Sequence, residues 1–128
     1  MGGAIRAIWK HRREKSGRYS SLMSEIEKGD NETIIGPAQD LVQSTAQGFR
    51  KELLLLVEEG TRELVIDLVN VKMIDSVGIG LLIAATNSLG KVGGKLRIVN
   101  ASEDLCKVFR MMRLDQHFEV QGVYGFSS

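Results

Sequence analysis

The stretch from Glu63 to Gly90 constrains the fold more than any other part of this sequence. Glu63-Leu-Val-Ile-Asp-Leu68 is a near-continuous apolar run, the pattern of a strand covered on both faces. A turn through Asn70 to Met73 leads to the corner Ile74-Asp-Ser-Val-Gly-Ile-Gly80, and after Asp75 no charged residue appears until Lys91. Strand, corner and apolar helix in succession make one arm of a β-α crossover, which calls for a parallel sheet.

The flanking segments extend the same alternation. Leu22 to Glu27 and Glu32 to Gly36 read as two short strands around the turn residues Lys28 to Asn31, and Pro37 belongs where pairing ends. From Ser44 to Glu59 the period is helical, with Ala46, Phe49, Leu53, Leu56 and Val57 on one face, Ser44 as N-cap and Gly60 as the stop. Lys95 to Asn100 alternates as a strand after Gly93 and Gly94. Ser102 caps a third helix whose inward stripe is Leu105, Val108, Phe109 and Met112, and Phe118 to Val120 forms a last short strand. The expectation is an α/β domain with parallel crossovers following an initial hairpin.

Composition narrows the functional classes. The 128 residues fit one domain, 43% hydrophobic and 26% charged, within the range of globular proteins. Aromatics at 5% are too few for a nucleic-acid stacking surface, and no direct nucleic-acid partner is expected. The net charge of +1 is uneven: residues 1–24 carry six Lys/Arg against Glu14, leaving the remainder at −4. Residues 1–21 are read as a basic, flexible extension with a short helix near Ile5 to Trp9, and residues 22–128 as the domain. Met23 is a candidate natural start, and membrane contact by the extension is not expected. The single Cys106 suits a reducing cytoplasm and is expected to pack beside the third helix's stripe. No stretch approaches the roughly 20 apolar residues of a membrane span, and the first residues lack a secretory pattern. Arg6 stands where an N-myristoylation motif wants Ser or Thr. The expected location is cytoplasmic.

Ser76 is the candidate functional residue. As an N-cap it would accept from Gly78 or Ile79 and contribute about 1 kcal/mol. The same position could also receive a phosphate, because helix N-termini favour anions. Gly78 and Gly80 each cost a helix about 1 kcal/mol relative to alanine, which asks for close packing onto the sheet or for a close-approaching partner backbone. The helix from Val77 is apolar all round, with Val77, Leu81, Ala84 and Ala85 on one side and Ile79, Leu82 and Ile83 on the other. Such a helix is either enclosed on both sides or covered by another protein.

Enzyme motifs fail individually. The dinucleotide pattern starting at Gly78 meets Ile83, and Gly90 to Lys95 is too short for a phosphate loop. A serine-hydrolase elbow would need glycine where Ile74 stands, and zinc spacing is absent with one cysteine and distant His11 and His117. The chain is not expected to be an enzyme or to hold a cofactor or metal.

Leu64 to Val120 resembles the STAS domain of bacterial anti-sigma factor antagonists. The resemblance rests on the strand Leu64–Leu68, on Asp75-Ser76-x-Gly78-Ile79-Gly80, on Gly93-Gly94 before a strand, and on Met112-Arg-Leu-Asp115 running into Phe118. Weaker similarity reaches back to Leu22. It implies a right-handed β-α superhelix on a mixed four- or five-stranded sheet. It implies partner switching as well: the unphosphorylated protein binds an anti-sigma factor serine kinase, phosphate on Ser76 ends binding, and a serine phosphatase reverses it. The contacts it implies are Asp75, Val77, Gly78, Ile79, Leu82, Ile83 and Thr86, in a monomer or weak dimer. Val77 departs from the small residue common after the serine, and Gly36 to Asp40 departs from the usual glycine-acidic turn. The alternative is a constitutive STAS scaffold or a subunit of a signalling or lipid-transport assembly.

Overall fold

Three crossovers of one hand decide the architecture. The computed structural model of the chain describes residues 18–20, 24–29 and 31–123, with a six-stranded sheet ordered as the chain runs. β1 (Arg18–Ser20), β2 (Ser24–Lys28) and β3 (Glu32–Pro37) form an antiparallel meander. β4 (Glu63–Asp67), β5 (Lys95–Ala101) and β6 (Glu119–Gly122) follow in parallel with β3. Helices α1 (Gln43–Glu58), α2 (Ser76–Lys91) and α3 (Glu103–Met111) fill the crossovers, and a 3-10 turn, Leu114–Gln116, leads into β6. Every crossover steps to the next strand in the same direction. Because such connections are right-handed in nearly all proteins, the three helices fall on one face.

The main core lies between that face and the helices. Phe49 and Leu53 of α1, Leu82 and Leu89 of α2 and Phe109 of α3 pack with Ile35, Leu64, Ile66, Ile98 and Val120 of the sheet. Each fully buried side chain of this size contributes about 1.5–3 kcal/mol. Phe109 meets Phe118 edge-on, with ring centroids 6.0 Å apart. Ile34, Val65 and Val99 form a separate buried cluster on the opposite face, and it contains no helix residue.

The α/β class and mixed sheet are as expected, and three details differ. Arg18–Ser20, placed by the sequence reading in the extension, pair with β2 as a three-residue edge strand, which adds a sixth strand to the mixed sheet of five. An open strand edge is satisfied by backbone pairing alone, so a polar sequence without apolar alternation can occupy it. Residues 1–17, with the helix expected near Ile5 to Trp9, lie outside the described residues, as does Leu22. α1 begins at Gln43, ahead of the expected cap Ser44. Thr45 closes this end, its Oγ1 accepting from the Val42 N–H at 3.0 Å and donating to the Asp40 carbonyl. In α3, Cys106 is 2% exposed and Met112 51% exposed, because the helix stops at Met111 before Met112 can turn inward.

Candidate functional site

The corner lies where loops leave the carboxyl ends of β3 and β4, the end of a parallel sheet at which such domains meet their ligands. Two loops are tied together there. Leu41 and Ile74 form an isolated parallel bridge, the Leu41 N–H donating to the Met73 carbonyl at 3.1 Å and the Asp75 N–H to the Leu41 carbonyl at 3.2 Å. Asp40 reinforces the tie, with Oδ1 accepting from the N–H groups of Lys72 at 2.8 Å and Met73 at 3.2 Å. Asp40 thus holds the approach to the corner, a role that sequence reading missed. A carboxylate in an irregular segment close to Pro37 was the only available signal.

Asp75, not Ser76, is the N-cap of α2. Its Oδ1 accepts from the Gly78 N–H at 3.0 Å. Its Oδ2 accepts from the Gln43 N–H at 2.9 Å, at the first residue of α1. One carboxylate therefore fastens the N-termini of two helices. The Gly78 hydrogen bond is the main reason its carboxyl is held below the ordinary range, with Gln43 and Val77 N–H groups adding to it against partial desolvation.

This arrangement leaves Ser76 at the first helical position, exposed and outside the cap. Its hydroxyl stands at the positive end of the α2 dipole, a setting that tolerates an added anion. The sequence reading fails on the cap because Asp and Ser are near-equal cap formers. The choice is made by Gln43, which is 32 residues from Asp75 in the chain.

The expected contact residues separate into two groups. Asp75 is partly exposed and Val77 is 44% exposed, both beside Ser76. Ile83 and Thr86 are half-buried, and the Thr86 hydroxyl donates to the Leu82 carbonyl at 3.0 Å. Gly78, Ile79 and Leu82 are buried, Leu82 completely. These three, expected as partner contacts, lie in the packing between α2 and the rest of the domain. α2 is enclosed by the sheet on one side and by α1 on another, where Leu81 and Ala85 are buried. Its open side includes a strip of small residues, Val77, Gly80 and Ala84. With Ala46, Gln47, Arg50 and Leu81 this strip lines a shallow groove between the two helices.

The two glycines have different causes. A Cβ on Gly78 would lie 2.2 Å from the Leu41 carbonyl oxygen and 2.8 Å from Cγ2 of Ile74, so close packing requires glycine there. A Cβ on Gly80 would meet nothing within 4 Å.

Among the described residues, no three His, Cys, Asp or Glu side chains are grouped to hold a metal ion. No helix among them is long and apolar enough to cross a membrane.

The geometry therefore defines an α/β domain that presents one serine hydroxyl at a helix N-terminus, beside a groove of small residues. The sequence matches the STAS domain over residues 23–124, and the chain belongs to that family. It is 27% identical over 96 residues to the anti-sigma-B factor antagonist of Bacillus subtilis, covering 75% of this chain and 87% of the relative. An anti-sigma factor antagonist from Mycobacterium paratuberculosis superposes with a TM-score of 0.69 at 25% identity, over 78% of this chain and 85% of that one. The Bacillus cell fate determinant SpoIIAA in its phosphorylated form shares the fold, with a TM-score of 0.61 at 18% identity over 76% and 89% of the two chains.

Proposed function

We propose that this protein is an anti-sigma factor antagonist that works by phosphorylation-controlled partner switching. Unphosphorylated, it docks on an anti-sigma factor serine kinase. Transfer of the γ-phosphoryl group of ATP to Ser76 Oγ, with ADP leaving, ends the complex, and a serine phosphatase restores the hydroxyl. The chain supplies no catalysis in this cycle. The names of its relatives support the class, and one fold relative, SpoIIAA, has been solved both phosphorylated and unphosphorylated.

The observation that carries the proposal is the exposed position of Ser76 outside the Asp75 cap. Val77, Gly80 and Ala84 supply the surface a partner would cover, with Asp75 beside the serine and Ile83 and Thr86 at its half-buried edge. A phosphoserine adds roughly −1.5 to −2 charges. The helix terminus tolerates that anion, but Asp75 repels it and an apolar partner surface cannot solvate it. A penalty of roughly 3–4 kcal/mol weakens binding several hundred-fold.

The test is incubation with the cognate kinase and ATP, followed by mapping of the phosphate and measurement of binding. Ser76 should carry the phosphate, Ser76→Ala should take none, and Ser76→Asp should bind several hundred-fold more weakly. Phosphate at another residue, or undiminished binding by Ser76→Asp, refutes the proposal.

A further inference from the structure

The groove between α1 and α2 extends well past the strip beside Ser76. The half that begins at Val77 shares Arg50, Leu81 and Ala84 with a second hollow reaching Val57 and Ser88, so the two form one furrow. Both helices follow parallel strands and run the same way. α1 lines the furrow with Ala46, Arg50, Leu53 and Val57, at i, i+4, i+7 and i+11. α2 lines it with Val77, Leu81, Ala84 and Ser88 at the same spacing. Two matched ridges of helical period make a bed for a third helix and not for a strand. From Val77 to Ser88 the bed is about 16 Å long, three helical turns.

Gly80 points to an occupant independently. Glycine is the least favourable helix residue after proline, and no internal contact calls for it here, since a Cβ would meet nothing within 4 Å. Its missing side chain, with the small Ala84 one turn on, lets a neighbouring backbone approach α2 closely.

Charge sets the chemistry of that occupant. Among the described residues, Arg50 is the one charged side chain lining either half of the furrow. It is exposed and has no hydrogen bond or ion pair among them. Covering it would strand a guanidinium in a mostly apolar bed unless the covering surface brings a carboxylate. A second copy of this chain docked symmetrically would bring another Arg50 instead.

We propose that the furrow seats an amphipathic helix of the anti-sigma factor kinase, about three turns long, with a carboxylate facing Arg50 from the middle of its apolar side. Resting on the partner-switching reading above, this seat puts one end of the helix at Val77, next to Ser76 in the chain. Phosphate is then added at the rim of the contact.

The test uses the full-length protein, its cognate kinase and ATP. Wild type should take phosphate on Ser76. Unphosphorylated Ala84→Leu, which fills the furrow, should bind roughly tenfold more weakly, and Arg50→Glu about a hundredfold more weakly. Both side chains are exposed, so neither change should disturb folding. Lys51→Glu, exposed and outside the furrow lining, should change binding by less than about fivefold. A photo-crosslinker at Leu54, 39% exposed on the rim, should capture a helical segment of the kinase. Reversing one acidic residue of that segment to lysine should restore most of the binding lost by Arg50→Glu. A wild type that takes no phosphate on Ser76 removes the switching reading and this seat with it. With Ser76 phosphorylated, the seat alone is overturned by wild-type binding of Ala84→Leu or Arg50→Glu, or by an equal loss in Lys51→Glu. A crosslink to a strand or to a second copy of this chain, or no acidic residue that rescues Arg50→Glu, overturns it as well.

Discussion

Replacing Gly78 and Gly80 separately with alanine should move stability in opposite directions. In helix interiors alanine is favoured over glycine by about 1 kcal/mol, and at Gly80 nothing stands within 4 Å to oppose that gain. Gly80→Ala should therefore stabilise by about 0.5–1 kcal/mol. At Gly78 the new methyl would sit 2.2 Å from a backbone oxygen, which cannot rotate away as a side chain can. Relief requires the Leu41 backbone to move by more than an ångström, straining the hydrogen bonds of Leu41 with Met73 and Asp75. Overpacking costs about 1–3 kcal/mol, and each weakened hydrogen bond adds up to about 0.5–1.5 kcal/mol. After the helix gain, Gly78→Ala should destabilise by about 2–3 kcal/mol. With a urea slope near 2 kcal/mol per molar, its unfolding midpoint falls by about 1 M and that of Gly80→Ala rises by a few tenths. Equal midpoints for the wild type and Gly78→Ala would refute the close-packing account. The same pair addresses the docking strip: Gly80→Ala should fold better yet bind the kinase less well, since its methyl projects between Val77 and Ala84.

Asp75 titration gives a pH signature. Its folded pKa is lowered, so its stabilisation is complete above the unfolded value, about 3.9, and is lost as pH falls through the folded pKa. Wild-type stability should therefore drop more steeply below about pH 4 than that of Asp75→Asn, and parallel acid-unfolding curves would refute the cap. Thr33 and Thr61 share a buried hydroxyl hydrogen bond of 2.8 Å. Thr61→Val alone strands its partner at a cost of about 1–3 kcal/mol, and the double valine variant should recover most of that in urea titrations. Burial raises the Cys106 thiol pKa, with Glu103 adding and Arg110 opposing. A disulfide reagent such as Ellman's should label Cys106 only on unfolding, and rapid labelling of the native protein would contradict its burial.

The β4–corner–α2 unit was readable in the sequence because its signals are local: an apolar strand, cap-forming residues and a long uncharged helix. Which face of α2 is open was not. Periodicity identifies faces but not their neighbours, and the contacts that enclose α2 come from α1 and the sheet. Size was the overlooked signal. The bulky Ile79, Leu82 and Leu89 are inside, and the small Gly80 and Ala84 line the open strip. Cap assignment failed for the same reason, because Gln43 completes the Asp75 site from another element.

The strand pattern at 63–68 carries one further step. Its apolar run is that of a strand covered on both faces, and Val65 and Ile66 are buried in separate clusters on opposite sides. Three crossovers of one hand can cover only one of those sides. A fully apolar central strand in such a topology therefore demands a second cover from outside the repeating units.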